Sequence, residues 1–91
     1  MIKQYSELQA MCVNCAMKKA ILPLQIPYYY AKLGYLLNID SSDAVKYSNA
    51  IEYTYRKIGD YCLDGNYKRA LKHVYILKSL ACRLKIIIDQ S

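Results

Sequence analysis

Hydrophobic positions recur at three- and four-residue steps along most of the chain, and this spacing predicts amphipathic α-helices rather than strands. A first helix is predicted over residues 2–20 and a second over residues 27–39. Pro23 and Pro27 separate them, because proline lacks a backbone donor, although it is tolerated in a first helical turn. Gly34, in the middle of the second helix, predicts the close approach of a neighbour. The inward positions are predicted to be Ile2, Tyr5, Leu8, Cys12 and Cys15 on the first helix and Tyr30, Leu33 and Leu37 on the second.

The third and fourth helices have the most regular pattern. The sequence DSSD at 40–43 offers side-chain oxygens that can cap a helix N-terminus, and its acids suit the positive end of the helix. The third helix is predicted to end at LDGN, residues 63–66, with Gly65 as a left-handed cap. Glu52 and Arg56 lie four residues apart and can pair. The inward positions are predicted to be Ala44, Tyr47, Ser48, Ile51, Tyr55, Ile58 and Cys62 on the third helix and Tyr67, Ala70, Val74, Leu77, Ala81, Leu84 and Ile88 on the fourth.

Two long helices joined by a short turn predict an antiparallel hairpin. The first two helices are expected to cover its open face and complete a compact up-down arrangement. The fold class predicted is therefore all-α, a small antiparallel helical bundle of about four helices. The 91 residues are expected to form one helical domain over 1–91, and the hydrophobic fraction of 55% is ample for its core.

The N-terminal segment is not expected to be a signal peptide, because polar residues interrupt each apolar run. No run of about 18 apolar residues occurs, so no membrane span is predicted. These features favour an intracellular, cytoplasmic chain. Its four cysteines are then expected to be reduced thiols rather than a disulfide framework.

The net charge of +6 is concentrated in the predicted fourth helix and favours an acidic partner. Residues 1–63 hold seven basic and five acidic side chains, whereas residues 68–85 hold six basic and none that is acidic. At about 100° per residue, four of these six cations point away from the predicted core, and Lys78 and Lys85 flank it. The candidate binding residues are Lys68, Arg69, Lys72, Lys78, Arg83 and Lys85.

The basic face has two interpretations. Lysine is a good helix former, so the face could simply be solvated. Solvated faces usually mix charges, however, since opposite charges four residues apart stabilise a helix. A face of one sign therefore favours an acidic partner, and phosphate in nucleic acid requires only correctly spaced cations. With no Asn or Gln between Lys68 and Lys85 to read base edges, the expected binding is to the backbone, without sequence preference. The alternative is a protein-interaction factor, such as an inhibitor, immunity or adaptor protein, that docks on an acidic protein surface.

Tyr75 lies near the edge of this face. It is interpreted as an aromatic residue at the edge of the core, with stacking on a base as the other possibility.

The cysteines and the single histidine raise the question of a metal site. CVNC at 12–15 is a C-x-x-C motif, but it lies within a predicted helix, whereas redox motifs of this form follow a strand. In an up-down bundle Cys12, Cys15, Cys62 and His73 would lie near one end, which makes them candidate zinc ligands. The favoured interpretation is that the three cysteines are small core residues and that no metal or cofactor is bound.

Enzyme activity is not expected. The chain has no glycine-rich phosphate loop and only two Glu, and His73, the lone histidine, lies within a cationic run.

Two resemblances concern architecture and context. GNYKRA at 65–70 is similar to the G-x-Y-x-x-A at the helix–helix turn of tetratricopeptide repeats, and is interpreted as hairpin-turn chemistry. In size, charge and helicity the chain resembles the small helical subunits that line nucleic-acid channels in CRISPR effector complexes, and also small phage and viral accessory proteins. The resemblance in size, charge and helicity implies that the chain is a subunit or accessory of a larger defence-related or viral assembly.

Overall fold

The computed structural model describes the backbone of residues 2–91 and the side chains of residues 7–91. Its helices are α1 (Ile2–Ile21), α2 (Pro27–Asn38), α3 (Ser42–Leu63) and α4 (Tyr67–Gln90), with a short 3₁₀ segment, Leu22–Gln25, between α1 and α2. No strand occurs in residues 2–91. The predicted all-α bundle of four helices is therefore confirmed, with boundaries that differ from the prediction by about two residues or fewer.

A tight turn joins α3 to α4 and makes them an antiparallel hairpin, as predicted. Gly65 has a φ of +74°, the left-handed conformation expected of a helix cap. The backbone N–H of Gly65 donates to the Cys62 carbonyl at 3.0 Å, and that of Asn66 donates to the Tyr61 carbonyl at 2.8 Å. The Asn66 side chain then accepts from the backbone N–H of Arg69 at 3.4 Å, so one residue helps to end α3 and to begin α4.

The core seam of α4 is the one that the sequence predicts. Six of its seven predicted inward residues are buried and Tyr67 is half-buried; the buried residues are Ala70, Val74, Leu77, Ala81, Leu84 and Ile88.

On α3 the prediction is wrong at one inward position. Tyr55 is exposed and Thr54 is buried beside it, with its hydroxyl donating to the Ala50 carbonyl at 2.8 Å. The seam follows alternating steps of three and four residues, which two helices packed at a small angle require, and this register passes through position 54. The predicted Glu52–Arg56 pair forms at 2.8 Å. The side-chain cap predicted at residues 40–43 does not form, because Ser41 lies at the N-cap of α3 without a side-chain hydrogen bond.

The face predicted for α1 is wrong, and the face predicted for α2 is wrong at two of its three positions. On α1 the buried residues are Val13, Met17 and Ala20, whereas Leu8, Cys12 and Cys15 are exposed. The side chains of Ile2 and Tyr5, predicted to lie on the same face, are outside the described residues. On α2 the predicted Leu33 is half-buried against the core, whereas the predicted Tyr30 and Leu37 are exposed. Leu36 is buried and Tyr29 is half-buried in their place, so the buried face is centred on Leu33 but includes the residue before each of the two others.

The first two helices lie end to end along the hairpin. The α1 residues Val13 and Met17 pack with Ile58 and Val74, in the half of the hairpin near its turn. In the other half, the α2 residue Leu36 packs with Ala44, Leu84 and Ile88. The result is three rods, the third of which is broken at the 3₁₀ segment, with extents of 50 × 20 × 17 Å. The expected compact up-down arrangement is therefore wrong.

The physical reason is that the two prolines interrupt the helix without reversing the direction of the chain. Along residues 2–91, none of the helices combines the length and the apolar character needed to cross a membrane.

Candidate functional site

The outer face of α4 carries the candidate cations. The helix has 24 residues and is therefore about 36 Å long. Its buried seam faces the other helices, and the opposite side is open. Five of the six candidate residues are exposed: Lys68, Arg69, Lys72, Lys78 and Arg83. The sixth, Lys85, is half-buried.

The exposed cations of α4 are not neutralised by acids within the part of the chain whose side chains are described. The ion pair found there joins Glu52 to Arg56 on α3. Asp43 lies in the same shallow groove as Arg83 but is not within ion-pair distance of it. The charge of the α4 face is therefore available to an anionic partner.

Lys85 has a different role from the outer cations. Its ammonium lies 5.6 Å from the centre of the Tyr29 ring on α2, so the side chain points toward the bundle. Hydrogen bonding to Asp89, followed by desolvation, raises the pKa of Tyr29 above its usual value. Lys85 and Tyr29 thus form a contact between α2 and α4, away from the outermost row of cations.

Apolar side chains lie among the cations of α4. Tyr75 is 73% exposed, so its interpretation as an aromatic residue at the edge of the core is wrong. Leu71, Cys82 and Ile86 are also exposed. With Tyr75 they recur at steps of four and seven residues, so they lie on one side of α4 and form a second apolar stripe, which is exposed. Sequence reasoning missed this stripe because the core pattern on the same helix is stronger.

The second stripe continues onto α1. One shallow groove between the two helices is lined by Leu8 and Cys12 of α1 and by Leu71 of α4. A neighbouring groove is lined by Lys19 of α1 together with Tyr75 and Lys78. The surface formed by α1 and the exposed side of α4 is thus apolar along its middle and cationic at its margins.

The candidate zinc ligands are not brought together. Cys12 and Cys15 are exposed on α1, so the favoured interpretation of them as core residues is wrong. His73 is half-buried, with its ring centre 4.9 Å from that of Tyr61, and its Nδ1 donates to the Arg69 carbonyl at 3.0 Å. Among residues 7–91, no three His, Cys, Asp or Glu side chains form a group that could hold a metal ion.

Cys62 is the half-buried cysteine. Burial raises the pKa of its thiol, which disfavours the thiolate that a metal requires. The reason the set does not assemble is the orientation of α1, which turns its cysteines away from the core that Cys62 borders.

Comparison of the chain with known protein families, curated proteins and solved structures finds no match. The chemistry of the α4 face is therefore the feature from which a function can be inferred.

Proposed function

We propose that the chain is a non-enzymatic binding module that contacts the backbone of nucleic acid through the outer face of α4. The observation that carries the proposal is a row of exposed cations, Lys68, Arg69, Lys72 and Arg83, on one helix and without an ion pair among the described side chains. A cation that is not already neutralised by a carboxylate can replace the counterions of a phosphate, and the release of those counterions drives binding.

The dimensions of the row suit a polyanion. From Lys68 to Arg83 the helix rises by about 22 Å, and phosphates follow one another along each strand at about 3.4 Å of duplex axis. The row therefore spans several phosphates. Because residues 68–85 contain no Asn or Gln, we propose contacts to the backbone without sequence preference. A face on one side of a small chain also suits a subunit of a larger assembly.

The dependence of binding on salt tests this proposal. If the four cations each meet one phosphate, log K falls against log salt with a slope of about −3 to −3.5 between about 50 and 200 mM salt. Changing Lys72 and Arg83 together to Gln is expected to weaken binding equally on every sequence and to flatten the slope by about 1.5. Fluorescence anisotropy with labelled oligonucleotides of several sequences measures both effects.

Two controls separate charge from folding. The double change of Lys46 and Lys57 to Gln on α3 removes the same net charge away from the face and is expected to keep the slope. Leu77→Ala, in the core, is expected to cost about 2 to 5 kcal/mol of stability, whereas the exposed Gln substitutions cost a few tenths. If the Lys72/Arg83 variant stays folded and binds as the unchanged chain does, the proposal is wrong.

A protein-interaction factor is the second candidate. Leu71, Tyr75 and Ile86 are exposed among the cations, and apolar groups of this kind anchor protein interfaces but gain nothing from phosphate. The cationic margins would then meet an acidic protein surface. A folded chain that binds no nucleic acid at low salt would favour this candidate over the first.

A further inference from the structure

Tyr75 projects from the middle of the cationic face. At 73% exposure it is the most exposed of the tyrosines whose side chains are described. Lys72 and Lys78 lie three residues before and after it, and Ser79 lies four residues after it, so all three are its neighbours on the helix surface. The ring therefore has a cation about 4.5 Å along the helix axis on either side.

Among the described side chains, no cation and no second aromatic ring stacks on Tyr75. Lysine ammonium groups lie over the rings of Tyr29, Tyr47 and Tyr53, at 5.6 to 5.9 Å, but none lies over Tyr75. The aromatic pairs found there, Tyr28–Tyr29 and Tyr61–His73, do not include it either. Most of the Tyr75 ring is thus open to a partner.

We propose that Tyr75 is a stacking platform for an unpaired base, so that the α4 face binds single-stranded nucleic acid in preference to duplex. This inference rests on the proposed function of that face. In a duplex each base is already stacked and paired, so a helix lying on the outside meets phosphates and gains nothing from an exposed ring. A single strand can place a base on the ring, which typically tightens binding by about 5- to 150-fold for each base.

The surroundings of the ring suit one nucleotide with its two phosphates. With a base on Tyr75, the phosphates on either side of its sugar lie toward Lys72 and Lys78. The groove that begins at Tyr75 continues past Ser79 to Arg83 and Ile86, which offers the strand a further cation and a further apolar contact. The chemistry recognised is an unpaired base with its phosphodiester, which DNA and RNA share.

Affinities for single strands and duplexes of equal length test the inference. The unchanged chain is expected to bind single-stranded DNA and RNA more tightly than duplex. Tyr75→Leu is expected to weaken single-strand binding by about 5- to 150-fold and to leave duplex binding unchanged, whereas Tyr75→Phe, which keeps the ring, retains the preference. The matched control is Tyr53→Leu, because Tyr53 is 63% exposed on α3 with Lys57 over its ring, and it is expected to change neither affinity.

Photocrosslinking provides a measurement on the unchanged chain, independent of how the variants fold. Single strands that carry 5-iodouracil are expected to crosslink to the tryptic peptide 73–78, which contains Tyr75 as its one tyrosine. Crosslinks that form only elsewhere would overturn the inference.

The outcomes distinguish this inference from the proposed function. Equal affinity for single strands and duplex, unaffected by Tyr75→Leu, overturns the stacking role and leaves the backbone-binding proposal intact. A loss of equal size on both substrates also overturns it, because the ring would then support the face rather than hold a base. If neither substrate binds at low salt, both proposals fail together.

Discussion

At the scale of single residues, the direction in which a side chain points decides its chemistry. Cys12, Cys15 and Cys82 are exposed, whereas Cys62, on α3, is half-buried against the core. Burial also raises the pKa of the Cys62 thiol. Because the thiolate is the nucleophile, Cys62 is less reactive for two reasons, a smaller thiolate fraction and poorer access.

We therefore expect iodoacetamide to alkylate three cysteines of the folded chain quickly and Cys62 slowly. Since burial raises the pKa of Cys62, the rise of its alkylation rate with pH is expected to lie at higher pH than is usual for a thiol. Peptide mapping by mass spectrometry at a series of times measures each site, and the same reaction in urea is expected to remove the difference. Slow alkylation of Cys12 or Cys15 in the folded chain would contradict their exposed positions.

At the scale of elements, the three glycines show that backbone conformation and the space around a residue separately determine how a substitution changes stability. Gly34 in α2 and Gly59 in α3 lie in helix interiors, and a Cβ added at either would meet nothing within 4 Å. The predicted close approach of a neighbour at Gly34 is therefore wrong. Gly65 also has open space around it, but its φ of +74° is a conformation that L-residues with a Cβ rarely adopt. The same substitution should thus have opposite effects at these positions.

Gly34→Ala and Gly59→Ala are each expected to raise the free energy of unfolding by about 0.5 to 1 kcal/mol, because alanine loses less backbone entropy on forming a helix. Gly65→Ala is expected to lower it by about 1 to 2 kcal/mol, the cost of placing a Cβ in the left-handed conformation. Urea denaturation followed by circular dichroism measures all three. If Gly34→Ala lowers the free energy of unfolding, a neighbour does pack closely against Gly34, as the sequence predicts.

At the scale of the whole molecule, the end-to-end placement of α1 and α2 makes the chain long. Its Cα radius of gyration is 14.7 Å, against about 12 Å for a compact domain of this length. Along the whole of this length α1, α2 and α3 pack on the seam of α4, and the side of α4 opposite the seam stays exposed.

Small-angle X-ray scattering is expected to give a radius of gyration near 14.7 Å and the profile of an elongated particle. The forward scattering gives the mass of the particle, and its comparison with the 10.5 kDa of one chain separates elongation from association. A value near 12 Å would mean that α1 and α2 pack side by side as in an up-down bundle.

The sequence by itself determined the parts of this protein that depend on local geometry or on one dominant pattern. The seam of α4 has a single strong apolar periodicity, and six of its predicted residues are buried. The cap at Gly65 and the Glu52–Arg56 pair depend only on residues a few positions apart. The outward direction of most cations in residues 68–85 is predictable for the same reason. Once the seam of a helix is known, the position of each residue determines the side on which it lies.

Tertiary structure alone decided which side of α1 is buried. That helix has two apolar stripes, one through Leu8 and Cys12 and another through Val13 and Met17. Periodicity shows that residues share a face, but the choice between two such faces depends on what they meet. Val13 and Met17 meet Ile58, Ala70 and Val74 of the hairpin, and burial there leaves the other stripe exposed beside Leu71 and Tyr75. The part of the exposed apolar stripe that lies on α1 is thus a consequence of long-range packing, since it is exposed only because α1 buries its other stripe against the hairpin.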